Sequence, residues 1–161
     1  MSDEKKARIL QVASLAKKKL QRDLLSLHHC LARSDVMRHH HEALIKQMVK
    51  AEGPAAFNDL KKVRFGAYIA FWFTGLACVI ERYEQLRNNS SIPSDVAIDN
   101  LITIKFKNTV RDFRNSVAHC SDFDDKRILK LYELESTVPD HAIALAKAFH
   151  AYLRIHKFAN A

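Results

Sequence analysis

Arg111, Arg114, Asn115 and His119 fall within one short stretch of the chain, and their side chains are of the types that handle an anion and a proton together. An arginine keeps its charge and can grip an oxyanion through two parallel hydrogen bonds. A histidine, with an unperturbed pKa of about 6.5, takes or gives a proton near neutrality. Asn115 and His119 are i and i+4. On a helix the amide is placed to hold one imidazole nitrogen and so set its tautomer.

The element that must carry them is Ile102 to Phe123, ITIKFKNTVRDFRNSVAHCSDF. At about 100° per residue, Ile102, Phe106, Val110, Phe113 and Val117 share an apolar stripe that belongs against a core. Arg114 sits near the Val110 edge of that stripe, so its stem should be half buried with the guanidinium reaching a groove. Arg114 and His119 are five apart and diverge on an unbroken helix, so they converge only if the helix ends near Ala118. Ser121-Asp122-Phe123-Asp124-Asp125 is consistent with that ending, because Ser and Asp cap a following helix better than they extend this one. On the plainer alternative, Arg114, Asn115 and His119 only cap the helix and pair with Asp122 or Asp124.

The run Arg114-Asn115-Ser116-Val117-Ala118-His119 resembles the R-x4-H signature of the HEPN superfamily (higher eukaryotes and prokaryotes nucleotide-binding domain). Tyr68 to Tyr83, YIAFWFTGLACVIERY, is similar to the Trp- and Glu-bearing helix of some small bacterial members. Together the likeness covers roughly residues 65 to 125. It implies an all-α, up-and-down bundle of four to five main helices. It also implies a homodimer with two R-x4-H elements facing one groove, and a metal-independent endoribonuclease with no cofactor, in a toxin or defence role with a possible cognate antitoxin protein. RNA supplies its own 2′-OH nucleophile, so His119 would transfer protons, Arg114 would hold the phosphate, and Asn115 would orient the histidine. The product would carry a 2′,3′-cyclic phosphate. Other members bind nucleotide, RNA or protein in the same groove without catalysis, and that non-catalytic regulatory module is the alternative.

Composition agrees with the fold class. A chain of 161 residues at 48% hydrophobic reads as a single domain, 1–161, with a proper core. Only 3 Gly and 3 Pro, with helical spacing in nearly every segment, predict long helices and no sheet. The formal charge is +8, and the first fifty residues hold eleven basic and five acidic side chains. That excess favours a polyanion such as RNA, or an acidic partner protein. Cys30, Cys78 and Cys120 are odd in number and far apart, as expected of reduced thiols in a cytoplasmic protein. The first twenty residues are charged throughout, unlike a signal peptide. The apolar run Phe65 to Ile80 is shorter than the roughly 20 residues of a membrane span, so no membrane partner is expected.

The remaining elements follow from spacing. Residues 4 to 31 predict a first helix with Ile9, Val12, Ala16, Leu20, Leu24, Leu27 and Leu31 on one face. The Lys17-Lys18-Lys19 triplet lies on its outer side. Ser34-Asp35 predicts the cap of a second helix, stopped by Gly53-Pro54. His28, His29, His39, His40 and His41 lack the i, i+3 or i+4 spacing of helix-borne metal ligands, and no metal is expected. A third helix from about Ala55 to Asn88 carries the aromatic core run Tyr68, Phe71, Trp72 and Phe73. Glu81 on it would need a cation if buried, with Arg111 or Arg114 the obvious choice. If exposed, it would pair with Arg82 or Gln85. Asn88 to Asp95 predicts a loop whose Ser94 or Asp95 caps the motif helix. A short helix from Asp124 to about Ser136 precedes a last one opened by Val138-Pro139-Asp140 and carrying Ile143, Ala146, Phe149, Leu153 and His156. Cys120 adjoins His119, but neighbouring side chains rarely aim at each other, so no Cys-His nucleophile pair is expected. There is no Gly-rich phosphate loop.

Overall fold

The computed structural model describes residues 3–52, 59–118 and 137–158, and among these there is no strand. The described residues form five helices of the bundle: α1 (Asp3–Glu52), α2 (Asp59–Asn88), α3 (Val96–Leu101), α4 (Ile104–Ala118) and α5 (Val138–Phe158). The fold is all-α, as spacing and composition predict. The Gly53-Pro54 stop, the Ser121–Asp125 loop, the Asp124–Ser136 helix, Cys120 and His119 lie outside the described residues, as does the side chain of Val117.

The first correction concerns α1, a single helix of 50 residues where two were expected. Ser34 and Asp35 do not cap anything because their polar groups are satisfied by other elements. Ser34 Oγ donates to the Trp72 carbonyl at 3.1 Å. The Asp35 carboxylate accepts from Arg38 Nε at 3.2 Å and sits 2.5 Å from His150 Nε2 on α5. With both residues buried and partnered, nothing competes with the helical backbone, and the Arg38–Glu42 pair at 2.6 Å adds i, i+4 support.

Helices α1 and α2 pack antiparallel. The register is set by the Ser34–Trp72 bond at one end and by Arg82 on Ser26 (3.2 Å) and Asp23 (3.7 Å) at the other. Gly75 is needed at their closest approach, since a Cβ there would lie 3.0 Å from both Ser34 Cα and Ser34 Cβ. Leu24, Leu27 and Leu31 meet Phe73, Leu76 and Ile80 in the core, completed by Phe106, Val110 and Phe113 from α4 and by Leu145, Phe149 and Tyr152 from α5. Each such large side chain contributes about 1.5–3 kcal/mol on burial. The aromatic run of α2 is only partly core. Trp72 and Phe73 are buried but Phe71 is exposed, because residues 100° apart on a helix cannot all face one way. The face of α1 also behaves differently along its length. Leu24 onward is buried, whereas Ile9, Val12 and Ala16 are exposed because α2 ends at Asn88, near the level of Lys17 in this register.

The motif helix is likewise broken in two. Asp95 caps α3, its Oδ1 accepting from Ile98 N at 3.0 Å. Thr103 then caps α4, its Oγ1 accepting from Phe106 N at 3.1 Å. The break falls on Ile102-Thr103-Ile104, three β-branched residues whose restricted χ1 angles weaken a helix. Upstream, α2 ends in a Schellman turn, with Ser91 N on the Leu86 carbonyl (2.8 Å) and Ser90 N on the Arg87 carbonyl (2.9 Å). Ser90 occupies the left-handed position at φ 52°, where glycine is usual.

Two substitutions of opposite sign test this packing. Gly75→Ala, which a helix would ordinarily welcome, is expected to destabilise by about 1–3 kcal/mol through the clash with Ser34. Ser90→Gly is expected to stabilise by about 0.5–1 kcal/mol by relieving the left-handed strain. Urea denaturation of the two variants against the parent checks both signs.

Candidate functional site

The α2–α4 seam gathers most of the residues singled out by sequence. Phe113 packs edge-on against Phe73, ring centroids 5.7 Å apart, and both are buried. This contact docks α4 on α2 and fixes which side chains meet just outside it. Arg114 Nη1 donates to Glu81 Oε1, and Lys107 Nζ donates to Glu84 Oε1 at 2.9 Å. The two bonds run in opposite chain directions along an antiparallel pair, so Glu81 and Glu84 on α2 face Arg114 and Lys107 on α4. Arg111 stands between those cations on α4 and lines a pocket of about 150 Å³ with Ala77, Ile80, Glu81, Glu84 and Lys107. Among the described residues Arg111 makes no ion pair. It is the cation of the seam open to an incoming anion.

Arg114 is half buried, as its wheel position predicts, with its side chain 27% exposed against 49% for Glu81. Glu81 therefore takes Arg114 without being buried itself, and the expected link between burial and pairing does not hold. Arg82 is occupied elsewhere, on Gln85 (2.8 Å), Ser26 and Asp23. Asn115 Oδ1 lies 3.4 Å from Arg114 Nη2 and accepts a long hydrogen bond from it, so the amide braces the guanidinium. The expected Asn115–His119 contact lies outside the described residues, as does the distance from Arg114 to His119.

Lys107 and Glu84 are seam members that sequence reasoning passed over. The signal was present: Lys107, Arg111 and Arg114 are spaced four and three apart, while Glu81 and Glu84 are three apart, so each set shares a helix face. Cys78, one turn before Glu81, has its thiol pushed up, chiefly by partial burial and then by the Glu81 carboxylate, with Arg114 opposing. That environment keeps the sulfur protonated and unsuited to nucleophilic attack. Among the described residues no group of three or more His, Cys, Asp or Glu could hold a metal ion, and no helix is long and apolar enough to cross a membrane. The histidines divide rather than cluster: His41 is buried beside Trp72, His40 stacks on Tyr68, and His39 Nδ1 meets the Asp35 carbonyl at 2.7 Å.

Comparison with known proteins finds no matching family model, no matching curated protein and no matching solved structure.

The seam can hold an oxyanion beside Arg111 and Arg114, with Glu81 and Glu84 limiting how much positive charge is free. Exposed ion pairs of this kind contribute about 0–1 kcal/mol each to stability, so their geometry matters more than their strength. Glu81→Gln and Glu84→Gln are each expected to lower unfolding free energy by less than about 1 kcal/mol. Chemical denaturation measures it, and a larger loss would mark the seam as a structural clamp.

Proposed function

We propose that the α2–α4 seam is the phosphate-holding wall of a metal-independent endoribonuclease of HEPN-like type, with Arg114 and His119 as its catalytic pair. The observation that carries this is Arg111 standing open in the pocket beside a half-buried, braced Arg114. Two guanidiniums on consecutive turns of one helix suit the two non-bridging oxygens of a phosphodiester.

In the reaction the 2′-oxygen forms a bond to phosphorus and the bond from phosphorus to the 5′-oxygen breaks. The proton leaving the 2′-OH is accepted by His119, and the leaving 5′-oxygen gains one from it. The products are a 2′,3′-cyclic phosphate and a 5′-hydroxyl. Arg114, displaced from Glu81 by the substrate, carries the charge that builds on the phosphoryl oxygens, and Arg111 supplies the first capture. Asn115 holds Arg114 in line or orients His119. A homodimer, setting two such seams on one groove, belongs to the same proposal, as does an inhibitory cognate protein.

A second reading is favoured by one specific feature. Glu81 already compensates Arg114, which suits a module that binds RNA, nucleotide or protein without cleaving. Incubating the purified protein with mixed RNA and EDTA separates the two. Cleavage is expected, and Arg114→Ala and His119→Ala are each expected to reduce it by about 100-fold or more, the scale of removing a charge-stabilising group or a general acid–base. Melting temperatures are expected to stay near the parent value. Intact RNA that nevertheless binds establishes the non-catalytic module, and variants that change only melting temperature reduce the motif to a structural one.

A further inference from the structure

The face of α1 that buries Leu24, Leu27 and Leu31 continues toward the N-terminus, and before Leu20 it is exposed, with no described residue of the core packed on it. Ile9, Ala13, Ala16 and Leu20 repeat at four, three and four residues, the seam spacing of a two-stranded coiled coil. Residues 4 to 19 are all exposed, Ile9 at 52% and Val12 at 66%. This arm projects about 25 Å beyond the bundle at 1.5 Å per residue. At its root a groove of about 560 Å³ is lined by Ala16 and Leu20 on one side and by Ser91, Ile92, Pro93 and Ser94 of the α2–α3 loop on the other.

We propose that this arm is a docking site for an acidic amphipathic helix of a partner protein, which lies along the seam and ends in the root groove. The inference is independent of the chemistry assigned to the α2–α4 seam. Charge decides the occupant. Between residues 4 and 19 the arm carries Lys5, Lys6, Arg8, Lys17, Lys18 and Lys19 against the single acid Glu4, which is bonded to Arg8 at 2.8 Å. In the heptad set by Ile9, Ala13, Ala16 and Leu20, Lys17 and Lys19 occupy the e and g flanks that choose a coiled-coil partner. A second copy would bring two arms of the same sign together, each with six basic side chains against one acid between residues 4 and 19. An antiparallel copy would set Lys19 against Lys5. Glutamates on a partner's flanks answer all of them.

Shape and polarity exclude flatter or more polar occupants. A membrane plane cannot enter the corner between the arm and the 90–94 loop, which a slender helix fills. Nucleic acid would take the lysines and leave Ile9 and Val12 in water. The arm's own helix is maintained without the partner, so an incoming helix meets a formed surface.

The test uses the full-length protein and a labelled synthetic helix of about three heptads with Leu at a and d and Glu at e and g. Fluorescence anisotropy is read at physiological ionic strength, with a second helix carrying Gln at e and g as control. The Glu helix is expected to bind at least about ten-fold tighter than the Gln helix, with the margin shrinking as salt is raised. Ile9→Asp and Ala16→Asp are expected to abolish binding. The double reversal Lys17→Glu with Lys19→Glu is expected to transfer preference to a helix with Lys at e and g. All four positions are exposed or at the groove rim, so circular dichroism should show unchanged folding. Equal binding of the Glu and Gln helices overturns the proposal, as does binding that survives Ile9→Asp. It is also overturned if sedimentation shows a homodimer that Ile9→Asp dissociates, if anionic phosphatidylglycerol vesicles compete the Glu helix away, or if duplex RNA does so.

Discussion

The contact of Phe73 with Phe113 is the constraint on which the rest of the α2–α4 arrangement depends. It joins two helices that have no sheet or disulfide to align them, and edge-on aromatic packing of this kind is worth about 0.5–1.5 kcal/mol beyond the area it buries. With those rings in register, the residue after Phe113 emerges at the rim of the core and must face α2. That residue is Arg114, and the α2 side chain it meets is Glu81. Moving α4 by one turn would bring Arg111 to the same carboxylate and dismantle the alternating order of charges. α2 is itself located by its other side, where Gly75 admits Ser34 and Arg82 reaches across to Asp23. The candidate site is thus set by packing on both faces of one helix.

That arrangement has an electrostatic consequence. A row of bare cations would attract any anion, and steering is strong when charges are uncompensated. Here two carboxylates offset two of the three cations, so the seam presents one open guanidinium at a defined place and a second held in reserve. Such a surface is selective in geometry more than in charge, which suits a phosphodiester presented by a flexible strand. The arm of α1 is the contrasting case, with basic residues that outnumber its acids and flank an apolar seam.

Much of the fold was legible in the sequence because helix periodicity is a local signal. The faces of α4 and α5 and the loop at Asn88–Asp95 follow from spacing, and Phe106, Val110 and Phe113 are buried as that spacing implies. The errors arose where tertiary partners decide. Ser34-Asp35 has the composition of a cap, and only the presence of Trp72 and His150 opposite makes it the interior of a long helix. Ile9 and Val12 repeat the pattern of Leu24 and Leu27, but pattern cannot report that α2 stops short of them. The split between α3 and α4 was readable in principle, since Thr103 sits in a β-branched run ahead of Phe106. At the site, the cations were recognised from their types, and the pairing of Glu81 with Arg114 was one of the options open. The role of Lys107 and Glu84 required the faces of two helices to be set against each other, which composition alone does not do.

The central claim is that Arg114 rests on Glu81 and exchanges that carboxylate for a phosphodiester. Nitrogen-15 NMR of the Arg114 Nε–H group, titrated with a 2′-deoxy dinucleotide that lacks the attacking hydroxyl, tests it most directly. The resonance should shift saturably, and Glu81→Gln should lower the half-saturating concentration because the competing carboxylate is gone. A resonance that does not move while the dinucleotide binds, or a titration unchanged by Glu81→Gln, would contradict the account.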